Sequence, residues 1–257
     1  MKRFIVGDIH ARFDLLRGVL DKSGFNEDED VLYSVGDLCD RGDKPVETLF
    51  FLMSLRDFRP VLGNHDAWLE EYLCTGIPAP SWTRKNGGDI TCRAMRKLSR
   101  KNREMLRLWL RTFPIFRIEN DLIIVHGGFP SEYTEKELIE LSKVSRPSPL
   151  SAIYSEAYED ENHDWMEEMV WDRDYLFSAT PESRRMPYWM PRHEIKPIET
   201  AKTIFTGHTP TLLYNGGRPF ISKTYHLVSL DTGAGSGRGP LTLMDIDSGK
   251  FYQSFPE

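Results

Sequence analysis

The chain has 257 residues, of which 40% are hydrophobic and 28% charged, with a formal net charge of −6. This is the composition of an ordinary globular protein able to bury a substantial core, and its acidic balance excludes a general nucleic-acid coat. No apolar run reaches the length of a membrane span, and the Met-Lys-Arg start leads into a strand rather than a signal peptide, so a cytoplasmic location is expected.

Strand and helix signals alternate through the first half. Strands are predicted at 3–6, 31–35, 60–62 and 122–125, and amphipathic helical stretches at 12–22, 45–57, 67–74 and 93–111. Pro45 suits a first helical position and Gly24 a helix end. Such alternation implies an α/β layered fold with strands buried on both faces. Residues 131–200 break the pattern with many prolines, an acidic stretch over 154–168 and an Arg-aromatic segment, SRRMPYWMPRHE, at 183–194. Strands resume at 203–206, 226–230 and 241–245, the last turning through Asp-Ser-Gly-Lys into Phe251-Tyr252. Without a flexible linker or an internal repeat, residues 1–257 read as one domain with a cap or insertion within about 131–200.

Cys39, Cys74 and Cys92 form no Cys-x-x-Cys pair and read as buried or inert thiols. The basic stretch 84–107 reads as a solvated helix face over an apolar stripe of Met95, Leu98, Met105 and Leu106. His163 and His193 lie in no motif and read as ordinary histidines.

The strand ends carry the chemistry. GDIHARFD begins at residue 7, LYSVGDLCDRG covers 32–42, PVLGNHD covers 60–66, LIIVHGG covers 122–128 and TIFTGHTP covers 203–210. Five times an apolar strand runs out into an acid, amide or imidazole beside a glycine. In an α/β sheet such ends share one edge, where ligands bind. Asp8, His10, Asp37, Asn64, His126 and His208 together offer oxygen and nitrogen donors without thiolate. That donor set suits manganese, with iron or zinc as alternatives, and a carboxylate such as Asp37 can bridge two ions. A pair of ions can activate water and clamp the oxygens of an in-line phosphoryl displacement.

The successive motifs GDIHA, GDLCDRG, GNHD, HGG and GHTP, with MVWDRD at 169–174 and LDTGA at 230–234, resemble the phosphoprotein phosphatase family within the calcineurin-like metallophosphoesterases, in particular its bacterial and phage-type members such as the phage lambda phosphatase group. The resemblance runs from residue 7 to about 245. It implies a central two-sheet β-sandwich flanked by helices. It also implies that Asp8, His10 and Asp37 hold one divalent ion and that Asp37, Asn64, His126 and His208 hold the second. His65 would be the general acid for the leaving group, oriented by Asp40, while Arg41 and Arg173, with Asn64, grip the phosphoryl oxygens. An Asn86-Gly87-Gly88 turn, similar to one in phage-type relatives, is expected near the site.

The implied reaction is hydrolysis of phosphomonoesters by direct attack of metal-bound hydroxide, on phosphoserine or phosphothreonine in a protein or on a small phosphoester. Two departures bear on the substrate. Ala11 replaces the usual glycine after His10, and Asp66 replaces the glutamate of Gly-Asn-His-Glu. Gly-Asn-His-Asp is also seen in symmetrical diadenosine tetraphosphate hydrolases of the same family, so the alternative is a dinucleoside polyphosphate or RNA 5′-end pyrophosphohydrolase. Asp40 weighs against that alternative, because those enzymes often lack an acid before the arginine. A non-catalytic phosphate-binding scaffold is the third reading, disfavoured by the complete ligand set.

Overall fold

The computed structural model describes residues 1–151, 164–181 and 193–256. In chain order its strands are β1 (Arg3–Val6), β2 (Val31–Ser34), β3 (Phe58–Pro60), β4 (Phe116–Ile118), β5 (Leu122–Val125), β6 (Thr203–Thr206), β7 (Phe220–Ser222), β8 (Leu227–Ser229), β9 (Leu241–Asp245) and β10 (Phe251–Ser254). They form two five-stranded sheets, ordered β10-β9-β1-β2-β3 and β4-β5-β6-β8-β7. Within the first, β1, β2 and β3 run parallel, and within the second β5, β6 and β8 do.

The period-two alternation of these strands sorts their side chains into two cores. Ile5, Tyr33, Leu122, Ile124, Phe205 and Val228 pack with one another in a cluster drawn from both sheets. Phe4, Val6, Leu32, Ile123, Val125 and Ile204 face the opposite way, into a larger cluster shared with the helices. This is the arrangement of two stacked sheets covered outside by helices, where the parallel strands are buried on both faces except the edge strand β3, whose Phe58 and Arg59 are only half-buried.

The helices are α1 (Phe13–Ser23), α2 (Pro45–Ser54), α3 (Asn64–Thr75), α4 (Pro80–Lys85), α5 (Gly88–Lys97), α6 (Arg100–Leu110), α7 (Glu135–Leu141), α8 (Asp164–Trp171) and α9 (Asp174–Ala179). Pro45 opens α2, and Gly24 closes α1 in the left-handed conformation at φ 68°. The single helical stretch expected over 93–111 is two helices. Leu98, in extended conformation, ends the first, and Ser99 caps the second, its hydroxyl accepting the Asn102 N–H. In the expected apolar stripe Met95 and Leu106 are buried, but Met105 is exposed. Strand β3 begins two residues before the predicted 60–62, because the Leu62 N–H leaves the sheet and donates to the Pro114 carbonyl at 2.8 Å. Cys39 and Cys92 are buried, whereas Cys74 is exposed. His163 and most of the 154–168 and 183–194 stretches lie outside the described residues. No described helix is long and apolar enough to cross a membrane.

Candidate active site

Six parallel strands deliver their C-terminal ends to one place. Asp8 follows β1, Asp37 follows β2, Asn64 follows β3, His126 follows β5, His208 follows β6 and Asp231 follows β8. The loops that carry them are held in unusual backbone geometry. Among the described residues seven non-glycine positions have φ between 49° and 73°, and six belong here: His10, Ala11, Asp37, Asp40, Arg41 and His208. Each such position costs about 1–2 kcal/mol in an L-residue. Ala11, where relatives of this motif carry glycine, is one of them. Two neighbouring glycines are explained by contact: a Cβ on Gly63 would land on the Asp37 carboxylate, and one on Gly207 on the Asp8 carboxylate.

Hydrogen bonds fix the imidazoles with one nitrogen turned inward. His126 donates Nδ1–H to the Val35 carbonyl at 2.7 Å, and His10 donates Nδ1–H to the Cys39 carbonyl at 3.1 Å. Their Nε2 atoms lie 3.4 and 3.5 Å from the two different oxygens of Asp37. Asn64 Oδ1 sits 3.0 Å from both His126 Nε2 and His208 Nδ1. These donors are all buried. Two groups of potential metal ligands emerge, each with its ligand atoms within 4.8 Å of one another: Asp37, His126 and His208, and His10, Asp37 and His65. The first brings together three of the four residues expected for the second ion, with Asn64 Oδ1 beside its two imidazoles. In the second, His65 appears where Asp8 was expected, since Asp8 turns both oxygens to the His208 N–H at 3.0 and 3.3 Å.

His65 has another partner. Its Nδ1 lies 2.6 Å from Asp40 Oδ2, an oxygen that also accepts the Trp82 indole N–H. The structure thus joins the Asp40–His65 pair and adds Trp82 to it. The Asn86-Gly87-Gly88 turn is close: the Arg41 N–H donates to the Gly87 carbonyl at 3.3 Å. Arg41 itself reaches across the pocket, donating from Nη1 to His10 Nε2 and from Nη2 to His65 Nε2, both at 2.9 Å. Arg173 stands at the solvent side, at the N-cap of α9, with Nη1 donating to the Trp171 carbonyl at 3.3 Å. Its charge is felt by His208, whose pKa is held well below the usual range by burial and by that guanidinium. His193, outside every motif, is exposed and away from this cluster, its N–H 3.4 Å from Asp174.

Five carboxylates of this cluster are buried: Asp8, Asp37, Asp40, Asp66 and Asp231. Burial and the Asp231 charge push Asp8 well above the usual carboxylate range. Burial and Asp37 raise Asp66 to about 7, and burial, with Asp37 adding to it, raises Asp231 to about 6. Burial also opposes ionisation of Asp37, but His126 and His65 outweigh it and hold that carboxyl low. Burial alone would lower His126, yet Asp37 overrides it and lifts the imidazole to about 9. So much negative charge out of water calls for cations. A buried, unpartnered His208 Nε2 and a buried, unpartnered Asp40 Oδ1 also mark a polar pocket whose hydrogen-bonding capacity is unfilled. The residues fit a pair of divalent ions.

Sequence reading missed Asp231 and the position of Asp66. Asp231 was visible only within Leu-Asp-Thr-Gly-Ala, without a role. Asp66 accepts three backbone N–H groups, from Asp37 at 2.8 Å, Leu38 at 2.9 Å and Gly63 at 3.1 Å. It therefore ties the loop after β2 to the start of α3 rather than facing a ligand.

Comparison with known proteins agrees with this geometry. Residues 1–212 match the calcineurin-like phosphoesterase family, and the chain belongs to that family. Family members use a dinuclear divalent metal site, and the protein is accordingly a metal-dependent phosphoesterase. Among curated relatives, a symmetrical bis(5′-nucleosyl)-tetraphosphatase of Pseudomonas fluorescens is 28% identical over 98% of this chain and 94% of its own length. One of the same name from Vibrio cholerae is 28% identical over 98% of this chain and 97% of its own. A third, from Aromatoleum aromaticum, is 33% identical, but the match spans only 56% of this chain and 50% of that relative. Solved structures share the fold. One assigned provisionally as a diadenosine tetraphosphatase superposes with a TM-score of 0.60 at 18% identity, over 100% of this chain and 94% of the other. A protein serine/threonine phosphatase from Saccharomyces cerevisiae superposes with a TM-score of 0.53 at 17% identity, over 100% of this chain and 80% of the other.

Proposed function

We propose that the protein hydrolyses dinucleoside polyphosphates at a two-cation site. What supports this reading over the phosphoprotein phosphatase expected first is the set of relatives named symmetrical bis(5′-nucleosyl)-tetraphosphatases, which align with the chain nearly end to end. Gly-Asn-His-Asp at 63–66 agrees with it. The same reading takes residues 1–257 as one domain, with 131–200 as an insertion.

Asp8, His10 and Asp37 would hold one cation, and Asp37, Asn64, His126 and His208 the other, with Asp37 offering one oxygen to each side. Bound there, the cations supply Lewis acidity toward phosphoryl oxygens and lower the pKa of a water. The protein's own groups do the rest. Arg41 and Arg173 bring two guanidinium forks to an anionic chain of phosphates, which matches their planar geometry. Arg41 has first to release His10 Nε2, the lone pair a cation would use. Where the leaving oxygen needs a proton, as an alkoxide does, His65 supplies it from Nε2, while Asp40 accepts its Nδ1–H and fixes the ring.

The test is turnover in Mn²⁺ of a dinucleoside tetraphosphate beside p-nitrophenyl phosphate. Cleavage of the tetraphosphate to two nucleoside diphosphates at the higher kcat/KM is expected. An untouched tetraphosphate under conditions that release nitrophenol would overturn the reading. One observation favours a second activity, on phosphomonoesters: the intact Asp40–His65 pair at 2.6 Å. Proton donation matters most when an alkoxide leaves and least when a phosphate leaves, so an enzyme confined to phosphoanhydrides has little need of it.

A further inference from the structure

Beside the site lies a cleft that the mechanism does not use. It is lined by Asn64, Trp68, Glu71, Leu150, Glu167 and Trp171, among others, with about 370 Å³ of empty space including its open mouth. Asn64 belongs to both the cleft and the ligand cluster, so the two adjoin. The two tryptophans meet edge to face at 4.9 Å, and both are half-buried. Each also touches an imidazole of the site, Trp68 with His65 at 5.3 Å and Trp171 with His208 at 5.7 Å. The two tryptophans thus separate the cleft from imidazoles of the site by a single ring contact each.

Its polar character is one-sided. Glu71 and Glu167 contribute carboxylates, and among the described residues no lysine or arginine lines the walls. Glu167 Oε2 is shielded from solvent and has no hydrogen-bond partner. A carboxylate oxygen without a donor is costly, and a ligand that brings donors relieves the cost once the Glu167 side chain turns Oε2 toward the cleft it lines. Half-buried indoles beside it favour a flat π-system. An aliphatic or phenyl side chain of a phosphopeptide would satisfy the indoles but leave Glu167 unpaired.

We propose that this cleft receives the base of a purine nucleotide whose phosphate lies at the site, with Glu167 selecting guanine over adenine. Guanine presents N1–H and N2–H₂ as adjacent donors to one carboxylate. Adenine offers its N6–H₂ beside N1, an acceptor that a carboxylate repels. A site with an unpaired polar group discriminates well against the partner that cannot pair with it. The inference rests on the nucleotide reading above and names the group that reading leaves open.

The experiment measures binding of methylenephosphonate analogues of GMP, AMP and ribose 5-phosphate, which cannot be hydrolysed, to the Mn²⁺-loaded protein by calorimetry. The GMP analogue is expected to bind about tenfold or more tighter than the ribose analogue, the usual scale of base stacking on an aromatic ring, and several-fold tighter than the AMP analogue. Trp171→Leu should erase the gap between nucleotide and ribose analogues, Trp171→Phe should keep most of it, and Glu167→Gln should remove or reverse the preference for guanine. Equal binding of all three ligands by the wild type would overturn the proposal. So would a uniform loss in Trp171→Leu, which would mean that the ring only supports His208, and so would a Trp171-dependent preference for a phosphopeptide. Tighter binding of the AMP analogue would remove Glu167 as the selector. These outcomes are independent of cleavage: base binding without tetraphosphate turnover would remove the proposed reaction and leave the cleft, and turnover without base discrimination would do the reverse.

Discussion

Asp40 Oδ2 lies 2.6 Å from His65 Nδ1, and the Trp82 indole N–H donates to the same oxygen. This places the ring proton on Nδ1 and leaves Nε2 to accept from Arg41 at 2.9 Å. To act as an acid His65 gains a second proton at Nε2 once Arg41 swings toward phosphate, and the buried carboxylate is placed to stabilise that charge. His65→Asn should therefore lower kcat by about 10²- to 10⁴-fold for a phosphomonoester with an alkoxide leaving group. The loss should shrink markedly for p-nitrophenyl phosphate and for a phosphoanhydride, whose leaving groups need no proton. Metal content, measured by elemental analysis, should stay near wild type. A loss of bound metal, or the same rate loss for every leaving group, would make His65 a ligand rather than an acid.

Arg41 occupies the lone pair of His10 that a cation needs, at 2.9 Å from Nε2. Burial and this guanidinium together hold His10 well below its usual pKa. The guanidinium thus has two opposed effects, repelling a cation and attracting phosphate. Arg41→Gln should leave Mn²⁺ affinity unchanged or tighter while raising KM for phosphate substrates by tenfold or more, on the order of a lost charge-assisted contact. Calorimetric titration with Mn²⁺ and steady-state kinetics separate the two. Weaker metal binding in the variant would be the contrary result.

Cation binding should depend steeply on pH, and the sign follows from the buried acids. Without metal, Asp66 and Asp231 carry folded-state pKa values of about 7 and 6, above the unfolded range. They therefore cost stability as pH rises from about 4 toward 7, where the unfolded chain ionises and the folded one resists. His126, raised to about 9, adds stability that is present below about 6.5 and lost as pH climbs through 9. Above about pH 6.5, where the lowered pKa values of His10 and His208 no longer separate folded from unfolded chain, both trends make the metal-free protein less stable as pH rises to 9. Cations reverse the pattern, since they replace the His126 proton and offset the carboxylate charge. Melting curves in chelator and in Mn²⁺ should diverge with rising pH, the gap reaching about 2.7 kcal/mol at a hundredfold excess over Kd. A gap that is constant from pH 5 to 9 would refute the assignment.

Strands were legible where they form short, mostly apolar runs buried on both faces: β1, β5, β6 and β9 have the predicted bounds. Strands β4 and β7 were not, since each has only three residues and sits on a sheet edge, too short to show a period. The ligand-type residues announced themselves as polar groups at strand ends beside glycine. Trp82 did not, because it reaches Asp40 from a helix with no strand-end pattern, and an indole is read as core. The Asp8 orientation was equally hidden, being set by the His208 backbone two hundred residues away. Sequence spacing carries the order of the motifs but not which oxygen faces which partner.

Asp66 gives the last test, of stability rather than turnover. Its carboxylate accepts the N–H groups of Asp37, Leu38 and Gly63, all buried, and so fixes the turn that aims Asp37 and the first turn of α3 that carries Asn64 and His65. Asp66→Ala leaves three buried donors without an acceptor, at about 1 kcal/mol or more each. A total near 3 kcal/mol should lower Tm by roughly 6–12 °C in a chain of this size. The melt should be made in chelator, so that lost metal does not enter. Metal affinity should fall as well, because Asp37 and Asn64 both belong to the expected ligand set. Asp66→Asn keeps one acceptor oxygen and should fall between the variant and the wild type. If Asp66→Ala melts like the wild type yet loses activity toward one substrate only, the aspartate selects substrate directly and its hydrogen bonds to the backbone are incidental.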